Sequence, residues 1–232
     1  MTSRQTPFVI AVDGPSGSGK SSVSRAVATR VGAGYLDTGA MYRALTWWCR
    51  EQRLDMDDPE AVAGAAVELP LEMGVDPQAP FVRVGGTDVD TQIRSSEISG
   101  LVSRVATVPA VRTELQRRQR ELIATIAADR GSCVAEGRDI TTVVAPEAPV
   151  RVLLTASEEA RLRRRSLEVH GAADGAAIEA TRDQVLRRDR DDSTVSQFTV
   201  AADGVAVVDT SELDFEESVE AVMAVVDAAR VG

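Results

Sequence analysis

The stretch Phe8-Val9-Ile10-Ala11-Val12-Asp13-Gly14-Pro15-Ser16-Gly17-Ser18-Gly19-Lys20-Ser21 decides the fold. Its first five residues are an unbroken apolar run, which reads as a parallel strand buried on both faces. Asp13 and a glycine-rich turn end the run. From Lys20 to Arg30, apolar Val23, Ala26 and Val27 recur at helical spacing. Gly14, Gly19, Lys20 and Ser21 satisfy the phosphate-loop pattern GxxxxGK[ST]. Glycines let such a backbone curl until successive N–H groups face phosphate oxygens, and the following helix adds its positive end. Lys20 is the residue type that reaches β- and γ-phosphates, and the Ser21 hydroxyl is the type that ligates magnesium. Gly14, Pro15, Ser16, Gly17, Ser18, Gly19, Lys20, Ser21 and Ser22 are the expected phosphate-binding residues for ATP with Mg2+. A plain glycine-rich strand–helix turn is the bland alternative.

Outward from this stretch, strands alternate with helices. Tyr35–Asp37, Ser132–Ala135, Val150–Leu154 and Val205–Val208 read as further strands. Helices are expected over Ala40–Arg53, Gly100–Thr107, Val111–Asp129, Glu158–His170, Ala176–Arg190 and Phe215–Arg230. Alternation of this kind implies a parallel sheet covered on both faces. Leu71 to Ile93 differs: Pro77, Pro80 and Gly85-Gly86 flank short alternating runs, the mark of small antiparallel hairpins.

The chain has 232 residues, a formal net charge of -10 and 3% aromatics. That length suits one domain with insertions. The acidic balance argues against a nucleic-acid face. No apolar run approaches a bilayer span, and Met1–Pro7 carries no signal-peptide pattern. Cys49 and Cys133 form no CxxC pair, so a reduced cytoplasmic protein is the simplest reading. Lys20 is the only lysine among 26 basic residues. A chain that writes arginine everywhere else keeps a compact ammonium where a guanidinium fork would not fit. With one His and no Asn, catalysis by a His-rich or Asn-dependent site is nearly excluded.

Three more segments carry chemistry. In Tyr35-Leu36-Asp37-Thr38-Gly39-Ala40-Met41-Tyr42-Arg43, Thr38 is placed to cap the next helix and Arg43 lies about one turn in. The two could hold an anion, or serve only as a cap and a solvated cation. Glu136-Gly137-Arg138-Asp139 directly follows a strand, where open α/β sheets bind ligands; a structural ion pair is the alternative. Arg161-Leu162-Arg163-Arg164-Arg165 and Arg187-Arg188-Asp189-Arg190-Asp191-Asp192-Ser193 flank a hinge-like Gly171–Gly175. They read either as a solvated face or as a closing lid that neutralises a transferring phosphoryl, with Arg161, Arg164 and Arg165 as candidates.

GPSGSGKS, YLDTGAMYR, VRTELQRRQR, EGRDITTVV and RRDRDDS, in this order, resemble the pattern of the bacterial cytidylate kinases from about Phe8 to Asp209. The resemblance implies the nucleoside-monophosphate-kinase α/β fold. Its parts are a five-stranded parallel sheet with flanking helices, a small antiparallel monophosphate-binding insert at about 59–105 and an Arg-rich lid at about 157–175. All lie within one domain spanning 1–232. It implies transfer of the ATP γ-phosphoryl to CMP or dCMP. A cytoplasmic monomer with no nucleic-acid or membrane partner is expected. Thr38, Arg43 and Arg138 would hold the CMP phosphate. Ser103, Arg112 and Asp139 would read cytosine, and Arg188 and Asp192 would hold the sugar. Lys20, Arg138 and Arg188 would carry the chemistry. One departure stands out: Val195 occupies a place where the family has Arg, and Gln197-Phe198 stands near its Pro-Leu. A kinase for another small acceptor such as shikimate, or a GTP-gated switch, is the competing reading. The absence of Asn, needed for an NKxD guanine site, weighs against the switch.

Overall fold

The computed structural model describes residues 8–171 and 174–231; the side chains at 168–170, 176, 180, 183, 184 and 188 are not among those described. The lead segment Met1–Pro7 and part of the expected hinge, 172–173, therefore lie outside it. In chain order come β1 (Phe8–Asp13), α1 (Lys20–Val31), β2 (Gly34–Asp37), α2 (Thr38–Glu51) and α3 (Pro59–Glu68). Next are β3 (Leu71–Met73), β4 (Val82–Val84), β5 (Thr87–Asp88), α4 (Ser96–Ala106) and α5 (Pro109–Arg130). The rest are β6 (Ser132–Gly137), β7 (Val150–Thr155), α6 (Glu158–His170), α7 (Gly175–Ser193), β8 (Ala206–Asp209) and α8 (Phe215–Val231).

The main sheet runs β2-β6-β1-β7-β8, with every pairing parallel. Period-two alternation sends Ile10 and Val12 of β1 to one face, where they pack with Val23 and Val27 of α1 and Val222 and Val226 of α8. Ala11 faces the other way, into a layer with Leu36, Ile123 and Ile126. Burial on both faces is why β1 reads as a continuous apolar run. A third cluster joins Met41 and Leu45 of α2 to Val62 of α3, Val82 and Val84 of β4, and Leu115 of α5. It seats the antiparallel β3-β4-β5 sheet beside the main one. Cys49 and Cys133 are buried and unpaired, and burial pushes the Cys133 thiol up to about 12. Among the described residues no helix is long and apolar enough to cross a membrane.

Two local features differ from the sequence reading. The α2 cap is Asp37, whose Oδ1 accepts from the Ala40 N–H at 2.8 Å. Thr38 is already helical and spends its hydroxyl on the Glu136 carbonyl at 2.7 Å. Adjacent Asp and Thr are both good caps, and the approach of β6 decides between them. Helix α3, absent from the sequence reading, starts at Pro59 behind the Asp58 cap, whose carboxylate accepts from Glu60 and Ala61 N–H groups.

Candidate active site

Strand register brings the chemistry-bearing segments to one edge. Asp13 is level with Gly137, and Asp37 with Glu136, so the loops after β1, β2 and β6 leave the sheet side by side. The main sheet sends β2 and β6 to one side of β1 and β7 and β8 to the other. The crevice at such a reversal is the ligand site of open α/β sheets. A cavity of about 150 Å³ lies there. Ser16, Gly17, Lys20 and Ser21 wall one side; Thr38, Arg43, Arg112, Arg138, Asp139 and Asp192 wall the other, and Arg165 also lines it.

On the loop side, Gly17 has φ 77°, and a Cβ there would lie 2.6 Å from the Arg161 carbonyl oxygen. Glycine is therefore required both by conformation and by the close approach of α6. Lys20 Nζ lies 3.9 Å from Glu136 Oε2. Glu136 also accepts from the Tyr35 hydroxyl at 2.6 Å. Burial, then the neighbouring Asp37, push the Glu136 carboxyl up, against the pull of Lys20. Burial also acts on Asp37, but Arg43 and Arg94 outweigh it and hold that carboxyl below its usual range. Gly14, Pro15, Ser18, Gly19 and Ser22 do not line the cavity. Ser18 is buried with its hydroxyl unbonded among the described residues, and Ser22 faces a shallow groove with Arg25 and Phe215.

Opposite the loop, nearly every cation meets a carboxylate. Arg43 Nη2 donates to Asp37 at 2.9 Å, while its buried Nε has no partner among the described residues. Arg112 Nη2 donates to Asp139 Oδ2 at 2.6 Å and to Ser196 Oγ at 2.9 Å. Gln116 donates to the same Asp139 oxygen at 2.7 Å. Arg138 pairs with Asp189 at 2.9 Å and with Asp192 at 2.7 Å, and its guanidinium carbon lies 4.3 Å from the Phe198 ring centroid. Asp189 also takes Arg161 and accepts the Ser16 backbone N–H at 3.1 Å. A carboxylate thus sits on an amide of the very loop suited to phosphate. Burial pushes Asp189 up, but Arg138, the Ser16 N–H and Arg161 outweigh it and lower its pKa.

The expected residues are not all gathered. Ser103 does not line the cavity; Ser99, one turn earlier on α4, does. Arg164 spends its fork on the Thr210 hydroxyl and on the Thr210 and Leu213 carbonyls, which anchors α6 to the chain after β8. Arg188 lies on α7, with its side chain outside those described. Arg190 is exposed and Val195 half-buried.

Asp13 enters the sequence reading only as the end of the first strand, with no part in the site. It is 1% exposed. Its carboxylate accepts the Ile140 N–H at 2.9 Å, the Thr141 N–H at 2.8 Å and the Thr141 hydroxyl at 2.6 Å. These bonds clamp the π-helical turn Ile140–Val144 and so fix where Arg138 and Asp139 emerge. Burial raises the Asp13 pKa to about 6, the three donors notwithstanding.

Arranged in this way, the edge offers amides and one ammonium to a polyphosphate, and facing guanidiniums to a second anion. That is the equipment of phosphoryl transfer, which needs positioning and charge neutralisation rather than a covalent nucleophile. The family model for cytidylate kinase matches residues 10–228. A cytidylate kinase of Streptomyces avermitilis is 46% identical over 98% of this chain and 96% of its own length. That of Nocardia farcinica is 47% identical over 97% and 95%. That of Cutibacterium acnes is 47% identical over 94% and 95%. With the family model spanning nearly the whole chain and relatives this similar along their full length, the chain belongs to the cytidylate kinase family.

Proposed function

We propose that the protein transfers the γ-phosphoryl of ATP to CMP or dCMP, giving ADP and CDP or dCDP. The observation that carries the reading is the facing of two anion sites across one small cavity, with Asp139 and Arg112 side by side on its wall. The loop N–H groups and Lys20 hold the ATP phosphates. Arg43 and Arg138 hold the acceptor phosphate, and Thr38 joins them once its hydroxyl leaves the Glu136 carbonyl. An oxygen of that phosphate attacks in line. That oxygen is already anionic, so no strong base is needed.

Cytosine presents an N4 amino donor beside N3 and O2 acceptors. Asp139 Oδ2 is taken by Arg112 and Gln116, and its Oδ1 carries no donor among the described residues, which leaves it for N4. Arg112 keeps donors for N3 or O2. Uracil reverses the pattern at positions 3 and 4, so the same pair repels it. Ser103 could join only by a turn of α4 toward the base, a part Ser99 already has the position to play. Arg188 and Asp192, both on α7, hold the sugar.

Magnesium fits the loop side. Ser21 lines the cavity beside Asp37 and Glu136, an all-oxygen set. Among the described residues no cluster of three or more metal-ligating side chains forms a cage. Few protein ligands plus substrate phosphates is how Mg2+ is held in such sites. When bound, the ion neutralises charge between the phosphates.

At about 150 Å³ the cavity is smaller than the roughly 300–1,000 Å³ of ordinary ligand sites. Arg161 of α6 donates to the Ser16 carbonyl, and Asp189 of α7 accepts the Ser16 N–H. We infer that both helices lift from the loop to admit two nucleotides and close again, as a lid over about 157–175. A coupled assay with ATP against CMP, dCMP, UMP, AMP and shikimate tests the reading. Turnover of CMP or dCMP well above the others is expected. Equal turnover of AMP, or of shikimate alone, would replace it with another small-acceptor kinase.

A further inference from the structure

The segment after α7 carries two side chains that touch the acceptor-side arginines, Phe198 buried and Ser196 half-buried on the cavity wall. Phe198 is 1% exposed, one of four Phe in the chain, and its ring lies under the Arg138 guanidinium at 4.3 Å. Ser196 accepts one of the two Nη2 protons of Arg112, while Asp139 takes the other. The segment is itself held by backbone bonds from the Val195 and Ser196 N–H groups to the Asp192 carbonyl, at 3.2 and 3.0 Å. We propose that Phe198 and Ser196 are positioning residues: the ring sets the plane of Arg138 for the acceptor phosphate, and the hydroxyl sets the edge of Arg112 for the base. The proposal rests on the reading of Arg138 and Arg112 given above.

A guanidinium donates only in its own plane and is attracted face-on by an aromatic ring. Of the in-plane donors of Arg138, Nη1 donates to Asp189, and Nε lies 2.7 Å from Asp192 as an ion pair. Nη2 has no partner among the described residues, so it is the edge left for a ligand. Asp189 bridges Arg138 to the phosphate loop, and an entering phosphate competes with it for those same donors. The ring competes for none of them. It is the contact that persists when phosphate replaces Asp189, and it keeps the fork in plane through that exchange. An aliphatic residue would fill the volume without orienting the charge. Ser196 acts likewise on Arg112: with Nη2 fully used and Nη1 donating to the Ala106 carbonyl at 3.4 Å, the side chain cannot roll away from Asp139. Position 195 itself holds Val, whose side chain cannot donate. The segment therefore contributes by bracing two other arginines rather than by supplying one.

The two braces have different readouts, which a general loss of packing would not separate. Phe198→Leu keeps apolar volume; it should weaken CMP binding about tenfold. The inhibition constant of cytidine, which lacks the phosphate, and the KM for ATP should stay within about twofold of wild type. Phe198→Tyr, which keeps the ring, should restore CMP binding, and Phe198→Met should behave like Phe198→Leu. Ser196→Ala should lower the ratio of kcat/KM for CMP over UMP by about three- to tenfold, and Ser196→Thr should restore it. If CMP and cytidine weaken together in both apolar variants, the ring is only core filling and the proposal falls. It also falls if neither apolar variant changes CMP binding while Arg138→Ala does. Should Arg138→Ala itself leave the CMP-to-cytidine gap intact, the phosphate role of Arg138 is what fails, not the brace. Arg112→Ala gives the same control for Ser196.

Discussion

On one side of the cavity the proposed anion-binding groups are main-chain amides of the loop after β1, together with a single ammonium. On the other they are guanidiniums, most of them already joined to a carboxylate: Arg43 to Asp37, Arg112 to Asp139, Arg138 to Asp189 and Asp192. The loop side is built from eight consecutive residues, Gly14 to Ser21. The guanidinium side is assembled from α2, α5, the turn after β6, and α7. A contiguous loop positions its donors by backbone geometry, so few side chains matter and each matters greatly. A dispersed set holds position by mutual pairing, so any one loss is shared among the rest.

The sharpest way to break this contrast is Lys20→Ala. It should lower kcat by about a hundredfold or more, roughly 3 kcal/mol of transition-state stabilisation, with the fold intact by circular dichroism. Near-normal turnover would show that the loop side also shares its load. Asp139→Ala comes next. It should raise the KM for CMP but not for ATP, and narrow the gap between CMP and UMP, at a cost of about 1.5–3 kcal/mol. Equal decline with both acceptors would make the Arg112–Asp139 pair a structural bridge.

Asp13 ties the two sides together, and its effect appears as a pH dependence of stability. Its folded pKa of about 6 lies above the ordinary 3.8. The folded state therefore holds the proton more tightly between those values, and stability from this group falls as pH rises through that window. The melting temperature of wild type minus that of Asp13→Asn should grow by a few degrees as pH drops from 7 to 4. A constant difference would mean that the carboxyl titrates normally. The smallest expected effect is Arg190→Ala. Arg190 is exposed and outside the cavity wall, so CMP binding should stay within about twofold. A large loss with ATP affinity intact would show that Arg190 swings in to replace the charge absent at Val195.

Much of this was legible in the chain because it is local. The apolar run into Gly14–Ser21 announces a strand, a turn and a helix start, and all three are present. Hairpins between Leu71 and Ile93 followed from Pro, Gly and alternation. What depends on approach between distant segments was not legible. Nothing in the sequence around Asp13 says that its carboxylate will meet Ile140 and Thr141, more than a hundred residues away. Asp189 reads as one charge in an acidic–basic run until α7 lays it against the Ser16 amide. Ser103 and Ser99 are one helical turn apart, and the tilt of α4 decides which reaches the cavity. Arg164 reads like its neighbours Arg161 and Arg165, and only the approach of the chain after β8 brings the Thr210 carbonyl to it.

The carboxylate of Asp189 on the Ser16 amide has a consequence for how nucleotides arrive. On the proposed reading, an incoming phosphate would not enter an empty cationic hole; it would trade places with an anion the protein already carries. The charge of the site changes by little more than the difference between the two anions. Around it lies a chain of net charge -10, which offers a polyanion no long-range attraction. Affinity then comes from contacts made after arrival, in the exchange itself. Added salt screens repulsion at a distance and attraction at contact alike, so binding of ATP should depend on ionic strength far less than the number of arginines around the site would imply.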